Sequence, residues 1–200
     1  MKAHVLFGLA ALGCGAALAL DFVDLAKPAT VQIDGAPAGD AVTVGADGWI
    51  RVKRTTPLSW VTLTWNVNLG AETKVLGGEW ERTYGDSEWH RLAQPEAKRP
   101  RKGAMPWYFL ATDGTRTDGY GVEVQPNVFA AWHATTDGVR LVLDCRAGSR
   151  PVQLGSRTLA ACRLVSRKGA AGETAFVAGQ NFCRALCPKP RLPAGPINAK

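Results

Sequence analysis

The sequence predicts an all-β protein: an antiparallel β-sandwich carrying one short C-terminal α-helix. Three observations point there. Residues 59–68 alternate, with Val61, Leu63, Trp65 and Val67 on one face and Thr62, Thr64, Asn66 and Asn68 on the other. A period of two with β-branched side chains is the pattern of a half-buried strand. Turn chemistry recurs through 200 residues that include 22 Gly and 12 Pro, which suits many short strands. Helical spacing is confined to one stretch near the C-terminus.

Taken in order, residues 21–27 read as a lead-in strand. Residues 30–34 alternate, Gly35-Ala-Pro37 turns, and residues 40–44 form a second strand. Ala46-Asp-Gly48 is a hairpin turn into Trp49-Ile-Arg-Val-Lys53, because Asp-Gly accepts the left-handed backbone such turns need. In the strand at 59–68, Trp65 falls on the apolar face and Trp60 on the polar one. Residues 73–76 start the next strand. Residues 93–103 are a polar, basic loop, after which the β-pattern resumes with an apolar strand at 105–112. Residues 113–119 are turn-formers throughout. Strands follow at 120–124, 128–133, 139–145 and 159–166. Gly172-Glu-Thr174 offers a helix cap, Phe176, Val177, Gln180, Cys183 and Leu186 recur at helical spacing, and Pro188 stops the helix. Three further prolines keep the rest extended.

Composition is globular, with 46% hydrophobic and 20% charged residues. The net charge of +7 gathers in Lys98-Arg-Pro-Arg-Lys102, in residues 163–168 and in Lys189-Pro-Arg191. No recognition helix or nucleic-acid motif accompanies these runs, so they read as solvated loops and nucleic acid is not an expected partner. Met1-Lys-Ala-His4 is a short positive region, residues 5–18 are apolar, and Ala17-Leu18-Ala19 is an Ala-x-Ala cleavage site. This is the pattern of a secretory signal peptide, with no membrane span expected. The expected layout is a signal peptide at 1–19, a sandwich with its helix at 20–187, and a Pro-rich segment at 188–200. The mature chain is expected in the periplasm or outside the cell.

Export bears on the cysteines. Cys145 and Cys162 fall in consecutive strand segments, where they can face each other as a disulfide or remain buried thiols. Cys183 and Cys187 lie four apart on the predicted helix. With no paired C-x-x-C units and no neighbouring histidine, a zinc site is not expected. No phosphate loop, dinucleotide fingerprint or Gly-x-Ser-x-Gly motif appears, and no cofactor is expected.

The stretch from Gly77 to Trp89 stands apart. It holds four acids, an Arg, a Tyr and two Trp among small residues. Indole faces stack on the C–H bonds of a sugar ring while charged groups take its hydroxyls, so Trp80, Arg82, Tyr84 and Asp86 are candidate sugar ligands. The same residues also suit an exposed turn in which Arg82 and Asp86 form a structural ion pair.

Gly78-Glu-Trp-Glu-Arg-Thr-Tyr-Gly-Asp86, then Met105-Pro-Trp-Tyr-Phe-Leu-Ala-Thr-Asp-Gly-Thr-Arg-Thr-Asp-Gly-Tyr-Gly121, then Phe182-Cys-Arg-Ala-Leu-Cys-Pro-Lys-Pro-Arg-Leu-Pro193 occur in that order. Together they resemble bacterial α-galactosidase-like glycoside hydrolases of the melibiase type. The resemblance implies an N-terminal β-sandwich that packs on a (β/α)8 catalytic barrel and lends loop residues to its sugar pocket. It adds Asp118 and Tyr120 to the candidate substrate-binding set and makes an α-galactoside the expected ligand. The family takes its nucleophile and acid from the barrel, so no catalytic residue is expected among these 200. The chain then reads as the sandwich portion of such an enzyme, or alternatively as a free-standing carbohydrate-binding module.

Overall fold

The computed structural model describes residues 22–77, 88–94 and 103–187. In chain order the strands are β1 (Thr30–Ile33), β2 (Ala36–Pro37), β3 (Val42–Val44), β4 (Trp49–Lys53), β5 (Trp60–Asn66), β6 (Lys74–Gly77), β7 (His90–Arg91), β8 (Met105–Pro106), β9 (Tyr108–Thr112), β10 (Thr117–Val122), β11 (Phe129–Thr135), β12 (Gly138–Asp144) and β13 (Thr158–Arg167). Among the described residues one α-helix, α1 (Ala175–Leu186), follows, and Gly39–Ala41 is a single 3-10 turn. Among the described residues the strands form a six-stranded sheet in the order β2-β1-β5-β12-β11-β8 and a seven-stranded sheet in the order β3-β4-β13-β10-β9-β6-β7. The expected all-β sandwich with one short terminal helix is what the chain forms.

The alternation in β5 sets the layering. Val61, Leu63 and Trp65 are buried while Trp60 and Asn66 are exposed, as the sequence pattern requires of a strand with one face on a core. From the neighbouring strands β12 and β11, Leu141, Leu143 and Trp132 point the same way, and Ile50, Val52, Phe109 and Tyr120 meet them from the other sheet. An aromatic chain crosses the interior. Trp65 lies 5.8 Å from Trp132, Trp132 lies 5.6 Å from Phe109, and Phe109 stacks on Tyr120 at 5.1 Å.

The expected strand at 105–112 is two strands. β8 pairs with β11 in the six-stranded sheet, whereas β9 pairs with β10 and β6 in the seven-stranded one. Trp107 between them has φ 62°, the left-handed region, and that bend carries the chain across the sandwich. An apolar run has no periodicity that reveals such a switch. The expected turn at 113–119 also shortens. Asp113 Oδ1 accepts from the Thr115 and Arg116 amides, closing the turn early, and Thr117 already pairs with Thr112 in the ladder. Residues 22–29 form no strand. The Asp24 carboxylate accepts from the Ala26 amide and its carbonyl from the Lys27 amide, curling the lead-in into a turn.

Helix α1 forms where the cap predicted it. Thr174 is its N-cap, its Oγ1 accepting from the Val177 amide at 3.3 Å. The helix lies on the outer face of the seven-stranded sheet, where Phe182 and Leu186 pack with Leu110 and with half-buried Leu76, Trp89, Tyr108 and Val165. Two glycines of β10 make room for it. A Cβ at Gly121 would sit 2.8 Å from Leu186 Cδ1, and one at Gly119 would sit 2.9 Å from Phe182 Cδ1, with Cγ and Cδ2 nearer still. Real Cβ atoms do not make such contacts, so the alternation Asp118-Gly-Tyr-Gly121 encodes one face for the core and one for the helix.

Candidate functional site at the edge of the seven-stranded sheet

Strands β6 and β7 pair antiparallel through Lys74–Arg91 and Val75–His90 and form the outer edge of their sheet. The described residues break off at Gly77, the last of β6, and resume at Glu88, two before β7, so residues 78–87 are the connection between the two strands. Trp80, Arg82, Tyr84 and Asp86 belong to that connection and lie outside the described residues.

Two concavities adjoin the hairpin's base and share Trp89 as a wall. One is an apolar groove of about 370 Å3 between the sheet and α1, bounded by Leu76, Trp89, Tyr108, Leu110, Phe176 and Cys183. Phe176 is 73% exposed there, while Phe182 two turns on is buried at 1%. The helix thus presents one aromatic inward and leaves another on the surface. The second concavity, about 260 Å3, is polar, with Lys74, Thr112, Thr115, Thr117 and Glu173 facing Trp89. Hydroxyls, an ammonium and a carboxylate around an indole are groups that recognise a neutral polyol.

Glu173 is held firmly. Arg167 donates to it twice, at 2.9 and 2.6 Å, the Ala170 amide donates at 2.8 Å, and Asn181 Nδ2 donates at 2.8 Å. The Arg167 guanidinium, helped by those amide donors, keeps its carboxyl down to about 2. It is a charged anchor for the start of α1, with no character of a general acid, which needs a raised pKa.

Asp118 and Tyr120 occupy positions other than the expected sugar surface: both are fully buried. Asp118 takes Arg116 Nε at 3.0 Å and the Gly169 amide at 2.9 Å. The Tyr120 hydroxyl lies 3.5 Å from Asp118 Oδ2 and accepts from the Val23 amide at 3.1 Å. Burial raises the Tyr120 pKa well above a phenol's ordinary value. This pair ties the lead-in segment, β10 and the 167–170 connection together, and neither side chain reaches a ligand at the surface. The Thr-Asp-Gly-Tyr-Gly spacing, which reads as turn chemistry, concealed that the Asp and Tyr share the inward face of a strand.

Of the two alternatives left open for the core cysteines, the structure has the unbridged one. Cys145 and Cys162 are both buried and both free thiols. They sit on opposite sheets, Cys162 within β13 and Cys145 just after β12. Burial pushes each thiol up to about 12, and the nearby Cys145 adds to the effect on Cys162. Cys183 and Cys187 are free and exposed.

Among the described residues no group of three His, Cys, Asp or Glu side chains is placed to hold a metal ion. No helix among them is long and apolar enough to cross a membrane. No family model matches the sequence, and no curated protein or solved structure matches it.

Proposed function

We propose that this chain is the β-sandwich domain of an exported α-galactosidase-like glycoside hydrolase. In this proposal its edge hairpin lends Trp80, Arg82, Tyr84 and Asp86 to the sugar pocket of a catalytic barrel. The observation that carries the proposal is the pair of concavities beside the β6–β7 edge, one apolar and one lined with hydroxyls and charges around Trp89. The apolar groove, with Phe176 exposed at its rim, is the surface on which a barrel would pack. The sandwich architecture agrees with the resemblance that residues 78–86, 105–121 and 182–193 carry.

The carboxylate that borders the polar concavity and the one buried in β10 both belong to structure. Glu173 is clamped by Arg167, and Asp118 is sealed inside. In this proposal the nucleophile and the acid come from the barrel, so the chain by itself is expected not to hydrolyse aryl α-galactosides. The test is an assay of the purified mature chain, alone and with a family barrel supplied in trans. Turnover restored by the barrel and weakened by Trp80→Ala supports the proposal. Turnover by the chain alone that vanishes in Asp86→Asn overturns it.

A second reading, a free-standing carbohydrate-binding module, is favoured by the polar concavity around Trp89. It predicts binding of methyl α-galactopyranoside by the isolated chain that is lost in Trp89→Ala.

A further inference from the structure

The opposite sheet carries an arrangement that the edge hairpin does not use. Three of the largest aromatic side chains are exposed at one end of the six-stranded sheet: Trp60 at 37%, Trp107 at 40% and Phe129 at 62%. The register places Trp60, Asp144 and Phe129 in one row across β5, β12 and β11. Two strand spacings separate Trp60 from Phe129, roughly 10 Å. Trp107 follows on at the far side, its amide donating to the carbonyl of Ala130, next to Phe129. A concavity of about 270 Å3 opens among Trp107, Phe129, Asp144 and Arg146.

Trp107 is in an unfavourable place for a Trp. A bulky side chain at φ 62° is a costly conformation that glycine adopts freely. At Trp107 the change of sheet accounts for the backbone. Its carbonyl accepts from the Val122 amide and from Trp132 Nε1, so the main chain is pinned on both sides and the side chain is fixed outward. Strained backbone of this kind clusters at ligand clamps and binding sites.

The polar centre is equally fixed. Arg146 grips Asp144 with two parallel hydrogen bonds, Nε to Oδ1 at 2.9 Å and Nη2 to Oδ2 at 2.8 Å. Its guanidinium carbon lies 4.2 Å above the Trp60 ring. Asp34 Oδ1 accepts from the Trp60 amide at 2.8 Å, setting the start of β5. The Arg–Asp unit is neutral as a whole, so it offers no net attraction to an ionic ligand. It still has donors on Arg146 Nη1 and spare carboxylate lone pairs, groups that take hydroxyls.

We infer that Trp60, Trp107, Phe129 and the Asp144–Arg146 pair form a second binding site, for a neutral oligosaccharide, whose pyranose rings stack on the aromatics while a pair of hydroxyls bridges the ion pair. It lies on the other sheet from the edge hairpin and does not depend on the role proposed for residues 78–87.

The test is a screen of the mature chain against immobilised neutral oligosaccharides, followed by calorimetric titration of the bound sugar. Phe129→Ala removes a largely exposed ring and leaves the core intact. Trp107→Gly removes the indole and relaxes the backbone, so it cannot fail through strain. Each variant is expected to weaken binding roughly tenfold, the worth of one stacked ring. The titrations are made in the Trp80→Ala, Trp89→Ala background, so that binding lost with Phe129→Ala or Trp107→Gly is that of this site and not of the edge site. The inference is overturned if no neutral oligosaccharide binds, if only acidic glycans bind, or if both ring deletions leave affinity within twofold of the parent.

Discussion

Gly119→Ala tests the docking of α1, the element that walls the apolar groove. The new Cβ points into the Phe182 ring, 2.9 Å from Cδ1 and closer to Cγ and Cδ2. The ring has little room to swing. It is 1% exposed, packs among Leu110 and Leu186, and lies 6.1 Å from Tyr108. The helix must therefore lift from β10. Overpacking of this kind costs about 1–3 kcal/mol, and the ceiling is the loss of Phe182 altogether, about 3–5 kcal/mol. For a domain of this size the melting temperature should fall by roughly 2–12 °C. Hydrogen exchange should quicken selectively in the amides of α1. A double variant settles the cause. Once Phe182→Ala has emptied the space, adding Gly119→Ala should cost less than about 0.5 kcal/mol more. If Gly119→Ala is silent by itself, or if the two costs simply add, the steric account of the Gly-Tyr-Gly pattern is wrong.

Other outcomes follow from the same contacts. Trp65→Ala should cost about 3–5 kcal/mol, because the side chain is 3% exposed in the core. Trp65→Phe should cost far less, since Trp65 Nε1 is buried without a hydrogen-bond partner; equal losses in chemical denaturation would refute this. Trp80→Ala should leave the melting curve nearly unchanged, and an unfolding as severe as that of Trp65→Ala would move residues 78–87 into the core. The Glu173 carboxyl is held down to about 2 from an ordinary 4.5. The folded state thus binds that proton more weakly than the unfolded chain, and the resulting stability is whole above about 4.5 and lost as pH falls from there toward 2. The melting-point gap between wild type and Glu173→Gln should accordingly narrow between pH 6 and pH 2.5; a gap that stays constant contradicts the role of Arg167. In the reduced mature chain, a thiol reagent at pH 8 should label Cys183 and Cys187 quickly, and Cys145 and Cys162 only after denaturation. Rapid labelling of all four would show that the core thiols are accessible.

The local periodicities were sufficient for the class of fold. Strict alternation in β5 assigned Trp65 to the interior and Trp60 to the surface, and both assignments hold. The Thr174 cap and the helical spacing of Phe176, Val177, Gln180, Cys183 and Leu186 located α1, although of those five only Leu186 is buried, and Phe182 joins it on the packed face. These features are legible because each depends on residues a few positions apart. What the tertiary structure decided depends on partners far along the chain. Trp107 turns the strand from one sheet to the other because Ala130 and Val122 take its backbone groups. Asp118 is interior because Arg116 and the Gly169 amide, 51 residues away, neutralise and cap it. A carboxylate beside glycine looks like a turn until that partner is known. The exposed row of Trp60, Asp144 and Phe129 likewise exists only through the register of three strands. Sequence spacing gives the face on which each side chain falls; only strand pairing says which side chains become neighbours on it.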